Sequence, residues 1–179
     1  MNDYKFIFTG PTGSGKTTAV AAISDTKVIH TEAKLSIPDD DHHEKKTLTV
    51  GLDYGTLTLE NKDKIHLYGT PGQERFDFMW EILTEGGLGL ILLLDNSRAD
   101  PIEDMHFFMN FFKEFTDSNR LIIGVTHMDI NPIPTIASYH KELETMGIAK
   151  LPVFEIDARS KKDISTLLQA LLYALDPGL

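Results

Sequence analysis

Residues Gly10 to Thr17 read G-P-T-G-S-G-K-T and complete the pattern G-x-x-x-x-G-K-[S/T] directly after the apolar run Tyr4 to Phe8. The chemistry that this spacing serves is the binding of a nucleotide's phosphates. Glycine at Gly10, Gly13 and Gly15 lets the chain wrap tightly, with N–H groups turned inward on an anion and no Cβ in the way. Lys16 supplies a point charge for the outer phosphates and is expected to take part in catalysis there. Thr17 offers a hydroxyl to Mg2+, a cation that prefers hard oxygens and keeps several waters. The helix that starts at this point aims its positive end at the same anion, and Ser14 and Thr18 join the nucleotide-contacting set.

These residues need a framework that holds a strand end against a helix start. Apolar runs of strand character occur at Tyr4 to Phe8, Thr56 to Leu59, Lys64 to Tyr68, Leu88 to Asp95, Leu121 to Thr126 and Pro152 to Ile156. Helical pattern fills the intervals at Lys16 to Ser24, Arg75 to Thr84, Pro101 to Phe115, Thr135 to Met146 and Lys161 to Leu175. The alternation predicts an α/β fold of the P-loop NTPase type: a mostly parallel six-stranded sheet with helices on both faces. One strand is expected to run antiparallel, because two alternating runs between Leu57 and Leu67 flank the short turn Asn61-Lys62-Asp63.

The chain has 179 residues, enough for one well-buried core, so a single domain over 1–179 is expected. It contains no cysteine, which excludes disulfides, thiolate metal sites and cysteine-linked lipids. No apolar stretch is long enough to span a bilayer, no signal peptide is legible, and Met1-Asn2 lacks the glycine that myristoylation requires. A cytoplasmic protein without its own membrane anchor is expected. The net charge of −10 repels phosphate backbones and argues against nucleic acid as a partner. The most polar stretch, Ile37 to Lys46, carries Asp39, Asp41, His42 and His43. Neighbours on an extended loop point opposite ways, so a solvated loop is expected there in preference to a metal site.

Further along, Leu67-Tyr-Gly-Thr-Pro-Gly-Gln-Glu-Arg-Phe76 resembles the second switch of the Ras-like small GTPases, in a form close to the Rab sequence G-Q-E-R-F. Thr49-Val-Gly-Leu-Asp-Tyr54 resembles their first switch. Thr126-His-Met-Asp129 and Ile156-Asp-Ala-Arg-Ser160 fall where that family keeps its base-reading motifs. The proline of Thr70-Pro-Gly-Gln73 leans toward the bacterial branch, which includes the MglA-like polarity GTPases. The resemblance implies a guanine-nucleotide switch that binds GTP or GDP with Mg2+ and hydrolyses GTP slowly. In that reading Thr49 joins Thr17 on the metal, Gly72 approaches the γ-phosphate, and Gln73 orients the attacking water. Asp129 accepts hydrogen bonds from guanine, Ala158 donates its N–H to the base, and Thr126, His127 and Arg159 belong to the same pocket. The implied partner is a protein that reads the switch regions, in the bacterial relatives a roadblock-type regulator.

Three residues depart from the family pattern. Gly69 stands where most members carry the aspartate that holds a Mg2+ water, and Asp95 is the nearest candidate to replace it. His127 replaces a lysine, and Thr12 replaces a small glycine beside the phosphates. The chain has four arginines, Arg75, Arg98, Arg120 and Arg159, none upstream of the second switch, so the first switch supplies no built-in arginine. Two rival readings remain at this level: a guanine-nucleotide sensor with little hydrolysis, and an ATP-using P-loop kinase, which would need more arginines than this chain has. Between Met105 and Phe115, Met105, Phe108, Phe112 and Phe115 form a stripe assigned to the core; Phe107 and Phe111 widen the arc, with core packing the preferred reading and an exposed docking patch the alternative.

Overall fold

The computed structural model describes residues 3–37, 46–73, 77–118, 120–148 and 150–175, side chains at 32–37 and 46–50 excepted. The central strands β1 (Asp3–Thr9), β5 (Gly89–Asp95) and β6 (Leu121–Thr126) lie side by side and parallel. Every residue of β5 and β6 is buried, which is why their sequences are continuous apolar runs with no polar alternation. The seven-stranded sheet has the order β2-β3-β4-β1-β5-β6-β7, with β2 (Ile29–Ile37), β3 (Lys46–Thr58), β4 (Lys64–Gly69) and β7 (Val153–Glu155). β3 alone runs against its neighbours β2 and β4.

Two differences from the sequence reading stand out. β2 was not anticipated, and β3 begins at Lys46 where the periodicity marked only Thr56 onward. Both segments alternate apolar with polar or small residues, Ala33, Leu35 and Ile37 in β2 and Leu48, Val50, Leu52 and Tyr54 in β3, a strand signal the apolar runs did not capture. β2 is a polar edge strand with one neighbour, and β3 carries Gly51, Asp53 and Gly55, residues that depress strand propensity. Gly55 has a packing reason: a Cβ there would lie 2.7 Å from Ser24 Oγ, at the end of α1. Residues Thr49 to Tyr54, expected to form a switch loop, therefore lie inside a ladder in which Thr49 pairs with Lys34 and Asp53 with Gly69. The stretch containing Asp39, Asp41, His42 and His43 lies outside the described residues.

Helices cover both faces. Alternate residues of β1 point opposite ways, so Ile7 packs with Trp80, Met105, Phe108, Tyr139 and Leu143, while Phe6 and Phe8 pack with Val20, Ile164 and Leu168. Thus α2 (Asp77–Thr84), α3 (Pro101–Phe111) and α5 (Ile136–Thr145) line one face, and α1 (Lys16–Ile23) and α6 (Lys161–Leu175) the other. The helix expected over Pro101 to Phe115 breaks at Phe112 (φ −95°, ψ 37°) and resumes as α4 (Lys113–Asp117). Asp100 starts α3 by accepting the Glu103 N–H at 2.9 Å, with Pro101 as its first residue. Met105, Phe108, Phe112 and Phe115 are buried as expected; Phe107 is 36% exposed. Among the described residues no helix is long and apolar enough to cross a membrane.

Candidate nucleotide site

The site is assembled where β1, β4, β5 and β6 end, beside the point at which the strand order turns back on either side of β1. The loop after β1 passes so close to β5 that a Cβ at Gly10 (φ +136°) would sit 2.0 Å from the Leu93 carbonyl oxygen. Gly15 (φ +94°) meets the opposite wall, where a Cβ would approach the Ala158 Cβ to 2.7 Å. Gly15 starts α1 with no side-chain cap, so the first-turn N–H groups of that helix face the loop they spring from. Ser14 is fully buried and accepts at its carbonyl from Thr126 Oγ1 at 3.2 Å, which ties the loop to the end of β6.

Two cavities adjoin at Gly13. The larger, about 770 Å3, is lined by Gly13, Gly15, Thr18, Thr126, His127, Asp129, Ala158 and Arg159 among others. The smaller, about 270 Å3, is lined by Thr12, Gly13, Lys16, Thr17, Asp53, Thr70, Gly72 and Gln73 among others. Most of the residues singled out in the sequence thus converge on one elongated groove. Gly10 and Ser14 instead serve as its packed floor. The side chain of Thr49 is outside the description.

In the smaller cavity Lys16 is 7% exposed, and its Nζ donates to the Gly10 and Pro11 carbonyls at 2.8 and 2.7 Å. Burial pulls its ammonium down to about 8; the Asp53 carboxylate works against that fall and the Arg98 guanidinium adds to it. A phosphate would place an anion directly against this ammonium, whose hydrogen bonds among the described residues go to neutral oxygens. Gly72 lies directly over the loop, since a Cβ there would be 2.6 Å from the Thr12 nitrogen and 2.8 Å from Lys16 Nζ. Trp80 is fully buried in α2 and donates from Nε1 to the Pro71 carbonyl at 2.8 Å, coupling that helix to the segment that carries Gly72 and Gln73.

The carboxylate missing at Gly69 is present in the same volume on the neighbouring strand. Asp53 pairs with Gly69, and a Cβ built on Gly69 would be 3.1 Å from both Cβ and Oδ2 of Asp53. Thr17 Oγ1 donates to Asp53 Oδ2, and His30 Nδ1 is 2.7 Å from Asp53 Oδ1. Asp95, the candidate drawn from the sequence, is engaged elsewhere: its Oδ1 accepts the Ser97 N–H at 2.9 Å and the Ser97 hydroxyl at 2.6 Å and lies 2.9 Å from His127 Nδ1. Asp53 was legible in principle. Counting the hairpin pairing back five residues from Thr58 and Lys64 brings Asp53 opposite Gly69. Among the described residues no cluster of three or more His, Cys, Asp or Glu could hold a metal by itself. The donors present, a threonine hydroxyl and a carboxylate, are hard oxygens that suit Mg2+ completed by phosphate oxygens and water.

In the larger cavity His127 adopts a left-handed backbone (φ 58°), and its ring is oriented by Asp95. The loop bearing Asp129 is held from below by Asn96, whose amide donates to the Asn131 and Pro134 carbonyls at 2.6 and 3.0 Å. Fully buried Tyr139 donates to the same Asn96 side chain at 2.7 Å. Arg159 makes a two-pronged pair with Asp157, Nε to Oδ1 at 2.9 Å and Nη2 to Oδ2 at 2.8 Å. Hydrogen bonds from Arg159 hold the Asp157 carboxyl at about 2.

Sheet order, glycine loop and buried lysine together define a P-loop nucleotide-binding protein of Ras-like architecture. Residues 26–176 match the family described as "Conserved hypothetical ATP binding protein", and the chain belongs to it; the matched region begins beyond the phosphate loop. An uncharacterized protein of Methanocaldococcus jannaschii is 34% identical over 99 residues, covering 54% of this chain and 60% of that protein. The Ras-related protein RABA1h of Arabidopsis thaliana is 24% identical over 75% of this chain and 57% of its own length. The Ras-related protein RabC of Dictyostelium discoideum is 21% identical over 97% of this chain and 84% of its own length. The chain therefore spans about 60% of the first two relatives.

Proposed function

We propose that the protein is a guanine-nucleotide-dependent switch that binds GTP and GDP with Mg2+ and hydrolyses GTP slowly. The observation that carries this reading is the groove itself, with Lys16, Thr17 and Asp53 at one end and Asp129 and Ala158 at the other. The Asp129 carboxylate can accept from guanine N1–H and the 2-amino group, whereas adenine presents an acceptor at N1 and lacks that amine. The Ala158 N–H would donate to guanine O6. His127 replaces the family lysine as a ring beside the base, with its direction fixed by Asp95.

At the phosphate end Lys16 would leave its carbonyl partners for the outer phosphates. Mg2+ would neutralise phosphate charge and be held by Thr17, with Asp53 accepting from a metal-bound water in place of the residue absent at position 69; Thr49, four residues along β3 from Asp53, would join only if that end of the ladder were released. Gln73 would orient water for attack on the γ-phosphorus. The bond to the β–γ bridging oxygen breaks as the new bond forms; the electron pair leaves on GDP and the water's proton ends on the released phosphate. With no arginine in the first switch, intrinsic turnover is expected on the order of 10^-4 per second, that of unassisted Ras. The output would be read by a protein partner at the second switch, such as a roadblock-type regulator. Exposed Phe78 and Ile82 on α2, with Phe107 on α3, offer apolar contacts there.

The family description favours a second reading, in which the base is adenine. Trp80 separates the two, because its bond to Pro71 links its emission to the second switch. Titration with GTP, GDP, ATP and a non-hydrolysable GTP analogue in Mg2+ should give tight guanine binding with distinct di- and triphosphate signals. Preference for ATP, or identical signals for GDP and GTP, would overturn the proposal.

A further inference from the structure

One charged side chain next to the phosphate end has no task in this scheme. Arg98 follows β5 on a turn closed by its N–H donating to the Asp95 carbonyl at 3.2 Å. Its guanidinium donates from Nε to Asp104 Oδ2 at 2.5 Å and from Nη2 to Oδ1 at 3.2 Å, pairing with a carboxylate in the first turn of α3. This pair forms one side of a cavity of about 480 Å3 completed by Pro11, Thr12, Gly72, Gln73 and Phe108. Thr12, Gly72 and Gln73 line the phosphate-end cavity as well, so the two spaces share a wall built from the glycine loop and the second switch. Asp53 lines only the phosphate-end space and Arg98 only the adjoining one, so Arg98 reaches the shared wall from a different side.

We propose that Arg98 is a built-in cation for the terminal phosphoryl group of the bound nucleotide, held back by Asp104 until that group occupies the space beside Thr12 and Gln73. The inference rests on the triphosphate reading above. A planar guanidinium offers two parallel donors to phosphate oxygens, and charge spreads over those oxygens and the bridging oxygen as the P–O bond breaks. The Arg98 side chain is 41% exposed and Asp104 is 17% exposed, so the pair lies at the surface of the molecule and its separation takes no charge into the core. Asp104 lies in the first turn of α3, where the helix's positive end interacts favourably with a carboxylate. Retention by Asp104 would keep basal turnover low in a chain that carries its own arginine.

The test compares Arg98→Ala, Arg98→Lys and Asp104→Asn in the full chain. Single-turnover GTP hydrolysis is measured, together with affinities for GDP and for a non-hydrolysable GTP analogue in Mg2+. Arg98→Ala should slow hydrolysis at least tenfold and weaken the analogue at least threefold, with GDP affinity unchanged within twofold. Arg98→Lys should recover part of the rate, and Asp104→Asn should raise it at least threefold. Hydrolysis by Arg98→Ala at the parent rate, or equal loss of GDP and analogue affinity, would overturn the proposal; the second pattern marks a merely structural link. A parent chain that binds no guanine triphosphate would refute the function reading itself, whereas binding without an Arg98 effect sinks only this inference.

Discussion

Replacing Asp53 with asparagine keeps the shape of the side chain and removes the charge next to Thr17, so it isolates the electrostatic role of that carboxylate. Two unit charges about 4 Å apart attract by about 1 kcal/mol in bulk water and about 4 kcal/mol at an effective dielectric of about 20; a divalent cation doubles both figures. The Asp53 side chain is 14% exposed, which places it between those limits, and the hydration that Mg2+ gives up offsets much of the attraction. Losing a carboxylate that orients a metal ligand or metal-bound water lowers metal affinity about 10- to 100-fold, or about 1.4 to 2.8 kcal/mol. The assay is Trp80 emission during Mg2+ titration of the GDP complex, repeated in excess chelator. Asp53→Asn should move the Mg2+ midpoint upward by that factor and leave metal-free GDP affinity within about twofold. Gly69→Asp alone should also bind Mg2+ poorly, since its Cβ would crowd Asp53 at 3.1 Å. Combined with Asp53→Ala, Gly69→Asp should recover a measurable part of the affinity. An unchanged midpoint in Asp53→Asn, or an equal loss with and without metal, would refute the reasoning.

Three further outcomes are expected. Gly72→Ala puts a methyl 2.6 Å from the Thr12 nitrogen, so the Trp80 signals for GDP and the GTP analogue should become alike while GDP affinity stays within about threefold. Tyr139→Phe removes the 2.7 Å bond to Asn96 and leaves a buried acceptor without its donor, a loss of about 1 to 3 kcal/mol that thermal or denaturant unfolding would register. The Asp157 carboxyl, at about 2, lies below its ordinary 3.8, so the stability contributed by its pair with Arg159 is present above about 4 and lost as pH falls toward 2. In Arg159→Ala an NMR titration of Asp157 should move upward from about 2 yet stay below the ordinary 3.8, because the Arg159 backbone N–H still donates to Asp157 at 2.9 Å; a midpoint that stays at about 2 would show that the Arg159 side chain is not the cause.

What could be read from the chain was read where local sequence and final structure impose the same demand. The glycines of the phosphate loop are needed by their own backbone angles, and the runs Leu88 to Leu94 and Leu121 to Val125 are apolar because both faces are covered. The antiparallel partner of β4 was visible through its turn, where Lys62 takes φ 69° and Asn61 donates to Asp63. β2 was missed although Glu32-Ala33-Lys34-Leu35-Ser36-Ile37 alternates polar and apolar residues, a strand signal present in the chain. The break at Phe112 was hidden, since the aromatic spacing of Met105 to Phe115 continues through it.

The sequence by itself determined that a phosphate-loop pattern follows β1, that parallel strands alternate with helices, and that Asp129 and Ala158 follow the ends of later strands. Such properties depend on residue type and short spacing. Tertiary structure brought Thr17 against Asp53, although the pairing that sets Asp53 across Gly69 can be counted from the turn at Asn61 to Asp63. Tertiary structure also leaves Asp95 accepting from Ser97 and lying against His127, away from Thr17, while the β3–β4 register lays Asp53 across Gly69. It decided the placement of Arg98 too, because the glycine loop, the second switch and α3 come together only when the sheet has formed. Contacts between residues tens of positions apart are set by register and packing, and no local pattern in the chain encodes them.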